Sequence, residues 1–194
     1  MPGDTDSLSA AGCTGRCLRR YTLVFQRVYL FEDTIENNIR FGCPNASHEQ
    51  VVEAAQRACC HDFISALPEG CRTRAGEGGA SLSGGEKQRI SIARAILKDA
   101  SIIILDEATA SVDPENEREL QAAVSALTKD KTIIIIAHRL STVRNADQII
   151  ALEKGRIVQR GTHRVLIKQD GVYRRFVDIR EQAPGWRLGG EMHG

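Results

Sequence analysis

Leu82-Ser83-Gly84-Gly85-Glu86-Lys87-Gln88-Arg89, followed by Ser101-Ile102-Ile103-Ile104-Leu105-Asp106-Glu107, is where the reading of this chain turns. Ser83 and Glu86 have the S-x-x-E spacing of a capping box, in which each side chain accepts the other residue's backbone N–H at a helix start. The helix so opened carries Ile90, Ala93, Ile96 and Leu97 on one stripe. The apolar run at 101–105 then reads as a strand with apolar neighbours on both faces, as parallel sheets require. The pattern repeats downstream. Asp113-Pro114 places an N-cap before a proline at the first helical position and starts a helix to about Leu127. Residues 132–137 read as a second buried strand. Upstream, Tyr21 to Phe25 is β-branched and aromatic, a short strand ending at Gln26. Strand, helix, strand, helix, strand is the α/β alternation that gives a parallel sheet.

Between Asp33 and Ala100 the chain reads as nearly all helix. Ser47-His48-Glu49-Gln50 is an S-x-x-Q capping box, and the helix it opens puts Val51, Ala54, Ala55 and Ala58 on one face. A short helix is predicted from Asp62 to Leu67, stopped by Pro68, and a loop from Gly76 to Gly79. The whole, about residues 33–100, is expected to be a helical subdomain inserted between sheet strands. Farther on, Asp147–Glu153 and Arg156–Arg160 flank Lys154-Gly155 as a hairpin, and helices follow at about 162–168 and 171–182. Residues 1–17 read as an unstructured lead-in and 183–194 as a flexible, Gly-rich tail.

Charge is balanced, 26 Lys+Arg against 25 Asp+Glu, so there is no electrostatic footprint for nucleic acid. The apolar runs are too short for a membrane span, which needs roughly 18 residues, and the start lacks the apolar stretch of a signal peptide. The six cysteines are expected to be reduced thiols. Cys13-x-x-x-Cys17 and Cys59-Cys60-His61 are followed by no second half of a zinc pattern.

Asp106-Glu107 ends a strand and so belongs at the carboxyl edge of the sheet, where open α/β sheets bind ligands. In phosphoryl transfer an Asp so placed holds Mg²⁺, and a neighbouring carboxylate orients or polarises water. The plainer alternative is a solvated strand end. His138 follows the second strand in the same way and has two readings: a γ-phosphate ligand or the cap of the next turn. Ser83-Gly84-Gly85 opens a helix whose unpaired N–H groups and positive dipole end suit an anion. A cap alone has no use for two glycines, which cost about 1 kcal/mol each in a helix interior.

Taken in order, these motifs resemble the nucleotide-binding domain of an ABC transporter over roughly residues 18–182. Leu82 to Glu86 resembles the LSGGE signature, Ile102 to Asp106 the Walker B strand and Glu107 the catalytic glutamate. Ser111-Val112-Asp113 resembles the D-loop, His138 the switch histidine and Gln26 the Q-loop glutamine. Gln26 through Gly42, Gly76-Glu77-Gly78-Gly79 and Ala137 to Val143 are similar to the exporter branch. The resemblance implies a P-loop NTPase-type parallel sheet core, here partial, with the inserted α-helical subdomain. It implies ATP and Mg²⁺ as cofactors and a head-to-tail dimer with a second nucleotide-binding domain. Ser83, Gly84, Gly85 and Glu86 would then serve the partner's γ-phosphate. Asp106 and Gln26 would hold Mg²⁺, Glu107 and His138 would act in catalysis, and Asp113 would cross the dimer interface. Glu77 would touch a transmembrane domain, placing the chain at the cytoplasmic face of the membrane.

One family element has no counterpart. The 194 residues contain no G-x-x-x-x-G-K-[ST] phosphate loop. The expectation is an N-terminally truncated domain that alone neither binds ATP at micromolar levels nor hydrolyses it, with the apolar faces of 102–105 and 133–136 uncovered. Two alternatives remain open: a non-catalytic half that lends its signature in trans, and a gene fragment.

Overall fold

A computed structural model describes residues 20–25, 28–79, 81–106, 114–137 and 140–182, and the chain forms two compact units divided after Ile136. In the first unit β1 (Tyr21–Val24), β2 (Ile102–Asp106) and β3 (Thr132–Ile136) make a parallel sheet in that order. Val24 lies opposite Leu105, and Asp106 opposite Ile136. The three carboxyl ends therefore share one edge. Parallel neighbours need long crossovers. The first is the helical insertion: α1 (Ile35–Arg40), α2 (His48–Arg57), α3 (His61–Ser65), single 3₁₀ turns at Gly70–Arg72 and Glu77–Gly79, and α4 (Gly84–Lys98). The second is α5 (Pro114–Thr128).

α4 is the hub, packing on α1, α2, α5 and β1. Its buried set is wider than one stripe: Ile92 and Ala95 are buried as well as Ile90, Ala93 and Ile96, because neighbours cover it on several sides. Ile103 and Leu105 of β2, Leu120, Ala123 and Leu127 of α5, Ile35 and Ile39 of α1, and Val51, Ala54 and Ala55 of α2 complete one cluster. Each large aliphatic side chain so buried contributes about 1.5–3 kcal/mol.

Polar contacts tie the insertion together. Asn38, buried on α1, accepts the Phe31 N–H at 2.8 Å and donates to the Phe31 carbonyl at 3.0 Å. Arg94 of α4 donates to the Asn38 carbonyl at 2.8 Å and to Oδ1 at 3.2 Å. Its guanidinium lies 5.5 Å from the ring centres of both Phe31 and Phe41. Beside it, the turn after α1 meets the backbone of α4: a Cβ on Gly42 would stand 2.1 Å from the Arg94 carbonyl oxygen.

Two expectations are corrected. The 101–105 strand alternates: Ile103 and Leu105 are buried, whereas Ile102 and Ile104 are half-buried. The strand at 132–137, read as buried, is exposed along its whole length, with Ile134 and Ile136 each 49% accessible. Cover rather than edge position is the reason: β1 also pairs only with β2, yet Val24 is fully buried in the core cluster, which includes no residue of β3. The uncovered apolar face anticipated at 133–136 is thus present, whereas that at 102–105 is only partial.

The second unit holds α6 (Leu140–Arg144), the antiparallel pair β4 (Ile149–Glu153) and β5 (Arg156–Gly161), α7 (His163–Leu166) and α8 (Val172–Gln182). Lys154 and Gly155 turn the hairpin with φ of +50° and +77°, the left-handed pair a tight two-residue turn needs. Ile149, Leu166, Tyr173 and Val177 form its core. Among the described residues no helix is long and apolar enough to cross a membrane.

Candidate functional site

The start of α4 is built as its sequence predicts. Ser83 is extended (φ −65°, ψ 164°); its Oγ accepts the Glu86 N–H at 3.3 Å, and Glu86 Oε2 accepts the Ser83 N–H at 2.7 Å. The Ser83 carbonyl takes the N–H of Lys87 at 3.1 Å. The N–H groups of Gly84 and Gly85 precede that bond and have no intrahelical acceptor. Because Ser83 Oγ serves the cap as acceptor, its own O–H can point a donor outward. Ser83 and Gly84 are exposed, while Leu82 and Gly85 are buried and anchor the turn. A Cβ on Gly84 would meet nothing within 4 Å, so internal packing does not demand glycine there. What the bare position leaves is a clear approach to a helix N-terminus, an arrangement suited to a phosphate.

The predicted loop at 76–79 is a tight hydrogen-bonded turn of non-helical backbone that precedes this cap. Gly78 and Gly79 are left-handed, with φ of +59° and +73°. The Gly76 carbonyl accepts the Gly79 N–H at 3.1 Å, and the Gly79 carbonyl accepts the Leu82 N–H at 2.9 Å. The backbone of Glu77 lies in this turn.

Asp106 is the last residue of β2, half-exposed, on the edge where β1 and β3 also end. A carboxylate there suits a hard cation such as Mg²⁺. Gln26, Glu107, Asp113 and His138 lie outside the described residues. Gln26 follows the end of β1 by two positions, Glu107 follows β2 directly, and His138 follows β3 by two. The three strands leading to them finish at a common edge.

A second feature was missed in the sequence. A cleft of about 380 Å³ is lined by Phe25, Tyr29, Phe31, Phe41, Arg94 and Lys98 among others, and its aromatic rings are 41–62% exposed. Burial pulls the Arg94 pKa down from its ordinary value. The available signal was a cation at position 94 amid the buried residues of α4.

Residues 10–110 match the ABC transporter family. An ATP-dependent lipid A-core flippase of Idiomarina loihiensis is 51% identical over 160 residues, covering 81% of this chain and 28% of the flippase. ABC transporter B family member 14 of Arabidopsis thaliana is 46% identical over 164 residues, covering 84% of this chain and 13% of that protein. Among solved structures, a bacterial Atm1-family ABC exporter with ATP bound superposes with a TM-score of 0.73 at 40% identity. The match covers 86% of this chain and 29% of that one. The chain therefore spans less than a third of the length of these relatives.

Proposed function

This chain belongs to the ABC transporter family, and from that premise we propose that it acts as an exporter-type nucleotide-binding element whose signature serves ATP held by a second nucleotide-binding domain. The observation that carries the reading is the start of α4: a capped serine with a spare donor, two N–H groups without intrahelical acceptors, and a Gly84 that packing does not require. In a head-to-tail pair Ser83, Gly84 and Gly85 bind the γ-phosphate on the partner's phosphate loop, and Glu86 keeps the cap rigid. At this chain's own nucleotide site Asp106, at the end of β2, would together with Gln26 hold Mg²⁺, which would neutralise phosphate charge. At such a site Glu107 would orient water and His138 would steady the γ-phosphate, roles that need a phosphate loop in cis, while Asp113 would meet the partner. Glu77 faces the transmembrane domain, which puts the assembled element at the cytoplasmic face of the membrane.

Since these 194 residues contain no phosphate loop, the backbone cradle and lysine that hold β- and γ-phosphates are not supplied by them. Each charge-assisted hydrogen bond is worth about 1.5–3 kcal/mol, so losing several removes micromolar affinity. Calorimetric titration of the 194-residue chain with Mg-ATP is expected to show no micromolar site. The lending role is tested with a nucleotide-binding domain that has an intact phosphate loop but a disabled signature serine. Adding this chain should restore its ATPase activity, and the Ser83→Ala chain should restore little. Unchanged activity on adding the unaltered chain would rule the role out.

A further inference from the structure

The turn before the signature holds a glycine whose need is steric as well as conformational. Gly79 is buried, and a Cβ there would sit 3.1 Å from Cδ1 of Leu30 and 3.0 Å from Cε of Lys87. Leu30 is fully buried in the segment between β1 and α1, so it cannot step aside as a surface side chain would. Lys87 belongs to the first turns of α4. The Gly79 carbonyl also holds the Leu82 N–H, one residue before the Ser83 cap. Gly79 is thus pinned on one side by the core and bonded on the other to the signature.

Gly78 supplies the contrast. Its φ of +59° matches the left-handed backbone of Gly79, yet a Cβ there would meet nothing within 4 Å. Alanine at either position carries the same kind of backbone strain. Only at 79 does it also press on Leu30 Cδ1 and Lys87 Cε, which would have to give by a few tenths of an ångström.

We propose that Gly79 is a positioning residue for the signature: its bare Cα lets the 76–79 turn seat between Leu30 and α4 and so sets where Ser83 and its capping box stand. The proposal rests on the signature reading for its functional meaning, but its structural content is testable without nucleotide.

Amide hydrogen exchange on the full 194-residue chain decides it. In Gly79→Ala, exchange at Leu82, Ser83 and Glu86 is expected to rise about fivefold relative to the amides of α2, the change that follows loss of a helix cap. Gly78→Ala should leave those three amides within about twofold of their original ratio. Leu30→Val removes the obstructing Cδ1, so Gly79→Ala/Leu30→Val should recover protection at Ser83 and Glu86 despite its smaller core side chain. Equal behaviour of the two alanine variants, or a double variant no better protected or better folded than Gly79→Ala, would overturn the proposal. The ATPase mixture with the signature-disabled domain is the second arm. There Gly79→Ala should lower the restored rate several-fold and Gly78→Ala should not, while failure of the unaltered chain to restore activity would count against the signature reading and leave the exchange result to judge Gly79.

Discussion

Gly84 shows how one residue separates folding from function. It sits at the first position of α4 with open space around its Cα, so nothing among the described residues explains the absence of a side chain. Replacing glycine by alanine where the backbone permits it stabilises by about 0.4–1 kcal/mol, chiefly by restricting the unfolded chain. Gly84→Ala is therefore expected to raise the midpoint of urea unfolding slightly, while abolishing restoration of ATPase activity in the signature-disabled partner. A variant that lost stability would show that packing needs this glycine after all. The capping residues beside it were legible because S-x-x-E encodes its own geometry, and both reciprocal bonds are present. Asn38 and Arg94 were not. Their partners, Phe31 and each other, are distant in sequence or identified only by the fold, so no local spacing announces them.

At the level of elements, β3 is the informative case. Thr132-Ile133-Ile134-Ile135-Ile136 has the composition of a buried strand, yet all five residues are exposed. An exposed apolar strand with a free side is a template for association. We expect the 194-residue chain to self-associate as its concentration rises, visible in light scattering, and Ile134→Lys to reduce this with less than about 0.5 kcal/mol change in stability, as for ordinary surface positions. Association that persisted unchanged in Ile134→Lys would shift attention to Ile150, Leu152 and Ile157 on the hairpin, which are also exposed. The existence and order of the strands were readable because runs of β-branched residues between helical stripes are a local signal. Burial was not, because it depends on what lies over a strand, and composition names the face without naming its cover. The glycines at 76, 78 and 79 announce a loop, and their left-handed backbone bears that out, but the hydrogen bonds that order it as an approach to the signature have no local signal.

For the molecule as a whole, alkaline pH bears on a thiol that the core holds protonated. Burial pushes Cys60 up from 9.0 to about 12 and raises Cys71 as well. Cys60 also donates its S–H to the Ala55 carbonyl at 3.3 Å. A thiol with a raised folded pKa stabilises fully below the unfolded value, near 9.0 here, and that contribution is lost as pH climbs toward about 12. Stability should therefore fall across this window by up to about 1.4 kcal/mol per pH unit through Cys60. Cys60→Ala should flatten the alkaline decline in Tm, and an unaltered slope would show that Cys60 ionises freely in the folded chain. The contact between the turn after α1 and α4 reaches furthest of all, into the gene. Every missense change of a single base in a glycine codon introduces an amino acid with a Cβ, and at position 42 that atom would fall on the Arg94 carbonyl. Codon 42 thus has only silent or damaging single-base neighbours, and inheritance can vary it only without consequence or at the cost of the helical insertion.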